Sequence, residues 1–435
     1  MKKSLLRNGT LIGFEPLRLE RCDLLIVEGR IAAKGQRLTA DRDTQILDCR
    51  NRFILPGFVN AHFRPEASQT LGMPRPNAAS LNGDSKESIW RRVEEAHTPE
   101  TVLTSAFAGA LDAVRSGTTS LLAQHASAAG PATSLPLIRD AFQTIGVRAM
   151  LSFELGDRRP EYASEAAVRE AGDFAEAHQS DKFVGAIGTS ALEELADETL
   201  DRVAAESVRT RRPLQIALDE APLRDAGGAT GSAVARLGAR GLLRPGAIFA
   251  HGTHVAPADL QAIKESGAWL VHCPTSNMMS GSGFAPWESF GDLAALGSDR
   301  APADPFAEMR AALAQARARG ARVGAEDVLR LAVGGHQLAS EIFGLELGSL
   351  LRDAGADLVV VNYFPRTPLH DDNIADHVVL GMGAQHVESV IIEGHLVYHQ
   401  GRFPEIDMPR LGPLIHRGAQ QLWEALSGQA PAGVA

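Results

Sequence analysis

Short apolar runs alternate with longer segments of three-to-four spacing through the middle of the chain, and each pattern predicts its own element. Phe53–Asn60, Thr118–Ala123, Arg148–Phe153, Phe183–Ile187, Leu214–Leu218, Ala247–Ala250, Trp269–Val271 and Leu293–Leu296 are nearly continuous in apolar residues, as strands buried on both faces are. Between them lie helical patterns. In Glu100–Ser116, Val102, Leu103, Ala106, Ala110, Leu111 and Val114 recur on one face, Glu100 sits in the first turn, and Gly117 suits the position just past the end. Eight such strands separated by helices predict an α/β fold, a (β/α)8 barrel of the TIM type.

The two ends of the chain read differently. Cys22–Val27 and Thr44–Leu47 are strand-like, with Glu28-Gly29-Arg30 at a hairpin turn. Ala356–Asn362 and Val390–Val397 repeat the pattern around Glu393-Gly394. These ends are expected to form one small β-sandwich built from both termini, residues 1–55 with 346–435, around a barrel of residues 56–345. The polar stretch Pro65–Ser88 follows the first barrel strand and is a candidate lid, Ala221–Ser232 with Gly227-Gly228 is a second mobile candidate, and the Gly/Ala-rich tail Ser427–Ala435 is expected to fray.

Composition narrows the class. A chain of 435 residues with 44% apolar content can bury one large barrel core. A net charge of −10 argues against nucleic acid as a partner. No apolar run approaches the roughly eighteen residues of a membrane span. Met1-Lys2-Lys3 begins like an export signal, but Arg7, Asn8 and Gly9 interrupt it. Three widely spaced cysteines, Cys22, Cys49 and Cys273, suit a reducing compartment, so a cytoplasmic location is expected.

Barrels of this kind place their chemistry at the C-terminal ends of the strands. Here those ends carry His62 and Arg64, His125, Glu154, Thr189, Glu220, His251, His272 and Asp299. One polar residue at such a position is about as often a simple turn to solvent as a functional group, but eight together are harder to dismiss. The stretches around them are Pro56–His62 (PGFVNAH), Ser116–Ser127 (SGTTSLLAQHAS), Phe249–Val255 (FAHGTHV), Val271–Asn277 (VHCPTSN) and Gly297–Asp299 (GSD), followed by a long C-terminal match over Pro365–Val397. In these stretches the chain resembles the amidohydrolase superfamily, in its chlorohydrolase and guanine-deaminase-like branch, and is most similar to the SsnA-type aminohydrolases.

The resemblance implies one divalent ion, zinc or iron, at the barrel mouth. It would be held by two histidines of a first-strand HxH, a histidine on strand five and an aspartate on strand eight, and would lower the pKa of a bound water. Carried over, His62 is the first ligand, Arg64 stands where the second belongs, Ala217 stands where the strand-five histidine belongs, and Asp299 is the last. Glu220, three residues past Ala217, matches the proton shuttle, and His251 matches the strand-six histidine that orients water or substrate.

Guanidinium is cationic and offers no lone pair. The expectation is therefore a site without its metal, with Arg64 in the ion's place and paired to Asp299. Glu220, His251, Asp299 and Arg64 would carry catalysis, while His62, His125, Glu66, His254 and Asn277 would line the substrate. The alternative is a zinc or iron ion held by a different convergence of histidines. Two functions follow. One is a hydrolase acting on a C–N bond (a deaminase or cyclic-amide type) of a small, polar, possibly anionic nitrogenous substrate. The other is a catalytically degenerate homologue that binds a small ligand or serves as a partner subunit. The resemblance also implies a homo-oligomer, commonly a dimer.

Overall fold

A computed structural model describes residues 3–73, 86–218 and 232–427. Five strands come first: β1 (Lys3–Phe14), β2 (Leu17–Val27), β3 (Arg30–Gly35), β4 (Thr44–Asp48) and β5 (Phe53–Pro56). The barrel staves are β6 (Phe58–Phe63), β7 (Thr118–His125), β8 (Arg148–Leu155), β9 (Phe183–Gly185) with β10 (Ile187–Thr189), β11 (Leu214–Leu218), β12 (Ala247–His251), β13 (Trp269–His272) and β14 (Ala294–Leu296). Three more strands close the chain's sheet content: β15 (Leu358–Val361), β16 (Val387–Ile392) and β17 (His395–His399).

Neighbouring staves pair in parallel from β6 through to β14, with β9 and β10 together forming one interrupted stave. The barrel closes between its first and last strands. Ser298 and Asp299 donate their backbone N–H groups to the His62 carbonyl, and the Arg64 N–H donates to the Asp299 carbonyl at 3.0 Å. Gly297 permits this seam, because a Cβ there would lie 2.8 Å from the backbone nitrogen of His62. The seam sets His62, Arg64 and Asp299 side by side.

The terminal strands form a separate sheet in the order β17-β16-β15-β5-β1-β2-β3, with β4 paired to β1. Two of its hairpin turns, β2–β3 and β16–β17, use one device. Glu28 and Gly29 have φ of 50° and 74°, and Glu393 and Gly394 have 52° and 72°, the twin positive φ values of a tight turn matched to strand twist. The sequence run Phe53–Asn60 is divided between the two bodies. Gly57 separates β5 from β6, its N–H donates to the Asp357 carbonyl, its carbonyl lies 2.9 Å from His336 Nε2, and a Cβ would collide with Thr119.

Two expectations are refined. The stretch Pro65–Ser88 contains a buried 3-10 turn at Pro65–Gln69 and the start of a helix at Lys86–Ala96, while 74–85 lie outside the described residues. The last helix, Met408–Ser427, packs on the barrel helix Pro99–Arg115, not on the terminal sheet. Gln69 ties it down, donating to the Ile415 carbonyl and accepting from Trp423 Nε1, both at 2.8 Å. The Ala221–Ser232 loop, apart from Ser232, and the tail beyond Ser427 are outside the described residues. No helix among the described residues is long and apolar enough to cross a membrane.

The sheet and the barrel are joined by a buried ion pair. Arg148, at the foot of β8, donates from Nε and Nη2 to both carboxylate oxygens of Asp357 at 3.0 and 3.3 Å, and Asp357 also accepts from the Glu393 N–H. Truncating the acid leaves a buried guanidinium with only the Glu393 carboxylate, 4.0 Å away. Asp357→Ala is expected to lower stability by roughly 3–5 kcal/mol, read as a shift in the denaturant midpoint. A loss under about 1 kcal/mol would mean that the pair does not hold the two bodies together.

Candidate active site

Arg64 follows β6 and is almost wholly buried, at 3% exposure. Its guanidinium meets three carboxylates: Glu154 at the end of β8, in direct ion-pair contact with Nη2; Glu66, with Oε1 3.6 Å from Nη1; and Asp299, with Oδ1 3.4 Å from Nε. Burial by itself would weaken the cation, but Glu154, Glu66 and Asp299 outweigh it and raise its pKa above the ordinary guanidinium value. The carboxylates are held from their far sides too. Arg158 donates to Glu154 at 2.6 Å and pairs with Glu194. Arg300 lies 3.7 Å from both Asp299 and Glu94 and sits over the Trp90 ring. His125 Nδ1 is 3.0 Å from Glu66 Oε2, and its Nε2 is 2.9 Å from Ser127 Oγ.

Asp299 is the hub. Burial opposes its ionisation, yet Arg300, His62 and His251 hold its carboxyl well below the usual range. Ser276 donates to its Oδ2 at 2.6 Å, and Oδ1 faces both Arg64 Nε and His62 Nε2, the latter at 3.5 Å. Asp299 and His251 both adopt left-handed backbone, with φ of 50° and 75°. Outside glycine this costs of order 1–3 kcal/mol per residue and clusters at functional positions.

Burial pushes the His62 imidazole down to about 4, so its ring is neutral at pH 7. Its Nδ1 receives the Gln215 Nε2–H at 3.0 Å, which leaves the ring proton on Nε2, toward Asp299. His251 Nδ1 lies 2.8 Å from Asn277 Oδ1; in the tautomer that donates there, Nε2 is an acceptor. The two rings meet edge to face at 5.4 Å.

The structure thus brings together His62, Arg64, Glu66, His125, His251, Asn277 and Asp299. It does not bring in His254, which is exposed and lies with Nε2 2.7 Å from the Ser282 carbonyl. His272 is buried against Trp287 and Phe290. Glu220 lies outside the described residues. Ala217 is buried on β11 and provides no donor, while Gln215, two residues earlier on the same strand face, reaches His62 from one layer deeper. Sequence reasoning read Glu154 only as a strand end and missed Gln215, Ser276, Arg158, Arg300 and Glu94. Glu154 ends an apolar run; the others sit inside apolar runs or on helices and loops, where nothing local marks them.

The expectation of a site without metal is not supported, and the alternative of a divalent ion is. One ligand atom each from His62, His251 and Asp299 lies within 4.8 Å of the others. Two imidazoles and a carboxylate are a donor set that zinc or iron accepts. His62 Nε2 and Asp299 Oδ1 are buried without a hydrogen-bond partner, as unfilled ligand atoms would be. A half-turn of the Gln215 amide makes His62 a ligand. Oε1 then accepts from His62 Nδ1–H, Nε2 donates to Ser152 Oγ (now 3.0 Å from Oε1), and the His62 Nε2 lone pair is released. Arg64 stands beside this donor set without filling it, and its charge weakens the site relative to one with a fourth protein ligand.

A model of the amidohydrolase family matches residues 53–397, and the chain belongs to that family. It is similar to the 5-methylthioadenosine/S-adenosylhomocysteine deaminase of Thermococcus sibiricus, 25% identical over 414 residues that cover 90% of this chain and 93% of that one. The 5'-deoxyadenosine deaminase of Methanothrix thermoacetophila is 27% identical over 414 residues, 92% and 93% of the two chains. Among solved structures, a Xanthomonas campestris adenosine deaminase with bound zinc superposes with a TM-score of 0.82 at 22% identity, covering 97% of this chain and 98% of that one.

Arg64→Met would remove the cation that Glu66, Glu154 and Asp299 share in the interior, leaving them His125, Arg158 and Arg300 further out. The expected loss is roughly 3–5 kcal/mol at pH 7. In the native protein these three carboxyls titrate below their ordinary values, so their contribution is present above about pH 4.5 and fades as pH falls through the lowered values. Without the cation their pKa values rise, and the variant loses stability as pH climbs. The gap between native protein and variant should therefore widen from pH 4.5 to 7.5 in denaturant titrations. A gap that is constant or narrows would contradict the pairing.

Proposed function

We propose that the protein is a hydrolase of C–N bonds, a deaminase that releases ammonia from a small, neutral, nitrogen-rich ring such as an aminopurine or its nucleoside. The observation that carries this reading is the convergence of His62, His251 and Asp299 at the C-terminal end of the barrel, with the tautomer of each histidine set by an amide partner. The names of the relatives, deaminases of purine nucleosides, support the substrate class.

The charge inventory favours a neutral substrate over an anionic one. Arg64 already faces three carboxylates, and Arg158 and Arg300 are engaged with the same group, so none of these three guanidiniums is left to receive a substrate carboxylate. The anionic class expected from Arg64 alone is therefore not carried forward.

Hydrolytic deamination adds water across a ring C=N bond and expels ammonia, so one proton must leave the water and one must reach the departing nitrogen. His251, with Nδ1–H held by Asn277, presents Nε2 to accept the water's proton. Asp299 stays ionised and stabilises the imidazolium that results. Glu220, the shuttle of the family motif, would receive that proton and pass it to the leaving amine. Arg64 acts at one remove by fixing Asp299 and keeping water from the carboxylates. His62, His251 and Asp299 would hold a divalent ion, whose contribution when bound would be to lower the pKa of water and polarise the substrate; His251 Nε2 would then be a ligand and not the base, and Glu220 would take the water's proton.

Ammonia release from adenine, adenosine, 5'-deoxyadenosine and guanine, with and without added zinc, tests the reading. Release from at least one aminopurine is expected, with His251→Ala lowering kcat by about 100-fold or more at an unchanged melting temperature. Absence of release from every substrate by zinc-loaded protein would remove the assignment.

A further inference from the structure

At the end of the barrel opposite the reaction centre, a cleft of about 320 Å³ opens between the feet of β9, β11 and β12 and the C-terminal half of the helix Ala325–Phe343. Arg211, Arg212 and Arg244 line it, with Gln179, the Gly246 backbone and one carboxylate, Glu341. The local balance is three cations against one anion, on a chain whose net charge is −10.

These arginines differ from their neighbours in one respect. Arg209 holds Asp173, Glu176 and Glu206; Arg236 holds Asp197; Arg240 holds Asp197 and Asp201. Among the described residues, Arg211, Arg212 and Arg244 pair with no carboxylate. Arg212 donates only to the Glu176 carbonyl, at 3.4 Å, and its Nε is buried with no acceptor. Arg244 donates to Ser207 Oγ. Arg211 caps the helix Asp197–Thr210 in left-handed backbone, φ 53°, a conformation uncommon outside glycine and asparagine. The one acid, Glu341, is occupied by the Trp269 indole N–H at 2.9 Å. Guanidinium groups gathered in a concave site with spare donors and a buried unsatisfied Nε are arranged for an oxyanion.

We propose that this cleft is a binding site for a small dianionic oxyanion of the phosphate class. Three guanidiniums less one carboxylate leave two positive charges, which a dianion neutralises. The planar forks supply paired N–H donors to tetrahedral oxygens, and a space of this size holds a free phosphate or a phosphoryl group on a small carrier. The site lies where barrels invest in stability and not in chemistry. Its ligand would fasten Arg212 and Arg244, which lead into β11 and β12, the strands that carry Gln215 and His251. The ligand is thus a stabiliser or effector and not a substrate.

The test uses the full chain with inorganic phosphate, titrated at ionic strength held constant with sodium chloride. A saturable rise in melting temperature and a single calorimetric site are expected. Arg211→Asn, which tolerates the left-handed backbone, should weaken binding by about tenfold or more, and Glu341→Gln should tighten it by removing the opposing charge. Arg244→Ala gives an independent loss of affinity should Arg211→Asn fail to fold. A response equal to that of chloride alone, or a phosphate affinity that survives both arginine substitutions, would overturn the proposal and place any bound anion elsewhere.

Discussion

The candidate site depends on one constraint, a guanidinium buried among carboxylates. Arg64 cannot sit at 3% exposure uncompensated, and Glu66, Glu154 and Asp299 cannot be ionised in the same interior without it. Each partner is then held by something further out: Glu66 by His125, Glu154 by Arg158, Asp299 by Ser276 and Arg300. The result is a rigid charged lattice across strands β6, β7 and β8 and the seam after β14. The desolvation cost of such a lattice is repaid only when all its members are present, so it specifies one arrangement of the barrel mouth more than it adds stability.

The same lattice shapes the chemistry. By taking one side of Asp299 Oδ1, Arg64 leaves that oxygen to His62 and whatever lies between His62 and His251. A histidine at position 64 would add a ligand; an arginine there supplies fixed charge. The three remaining donors still define a site at which a proton can be held on His251 beside an ionised Asp299. Amide side chains, Gln215 and Asn277, decide which imidazole nitrogen carries the proton. Such partners are easily overlooked because they act through the imidazoles, whose basicity they set.

The fold was legible because its signal is local and repeated. Each barrel strand is a short apolar run, and both Glu-Gly turns declared themselves before their φ values were known. The run Phe53–Asn60 misled only in hiding a change of sheet at Gly57, which depends on contacts with Thr119, His336 and Asp357 far away in sequence. The site was half legible. Motif positions located His62, Arg64, His251 and Asp299, and the charge argument anticipated the Arg64–Asp299 pair. The partners from elsewhere were hidden because Gln215 looks like an interruption in an apolar strand, and Arg158, Arg300 and Glu94 look like ordinary surface charge. The inference from lost ligands to lost metal is left without support for a related reason: counting ligands along the sequence does not reveal that His251 closes to within 4.8 Å of His62 and Asp299.

On this reading Arg64 and the candidate ligands His62 and His251 share Asp299 without displacing each other. Diffraction from crystals grown with zinc, measured on both sides of the zinc absorption edge, addresses this directly. Anomalous density is expected between His62 Nε2, His251 and Asp299 Oδ1, with the Arg64 guanidinium still seated among Glu66, Glu154 and Asp299. Anomalous density in the guanidinium's own place, with Arg64 turned away from the three carboxylates, would contradict it.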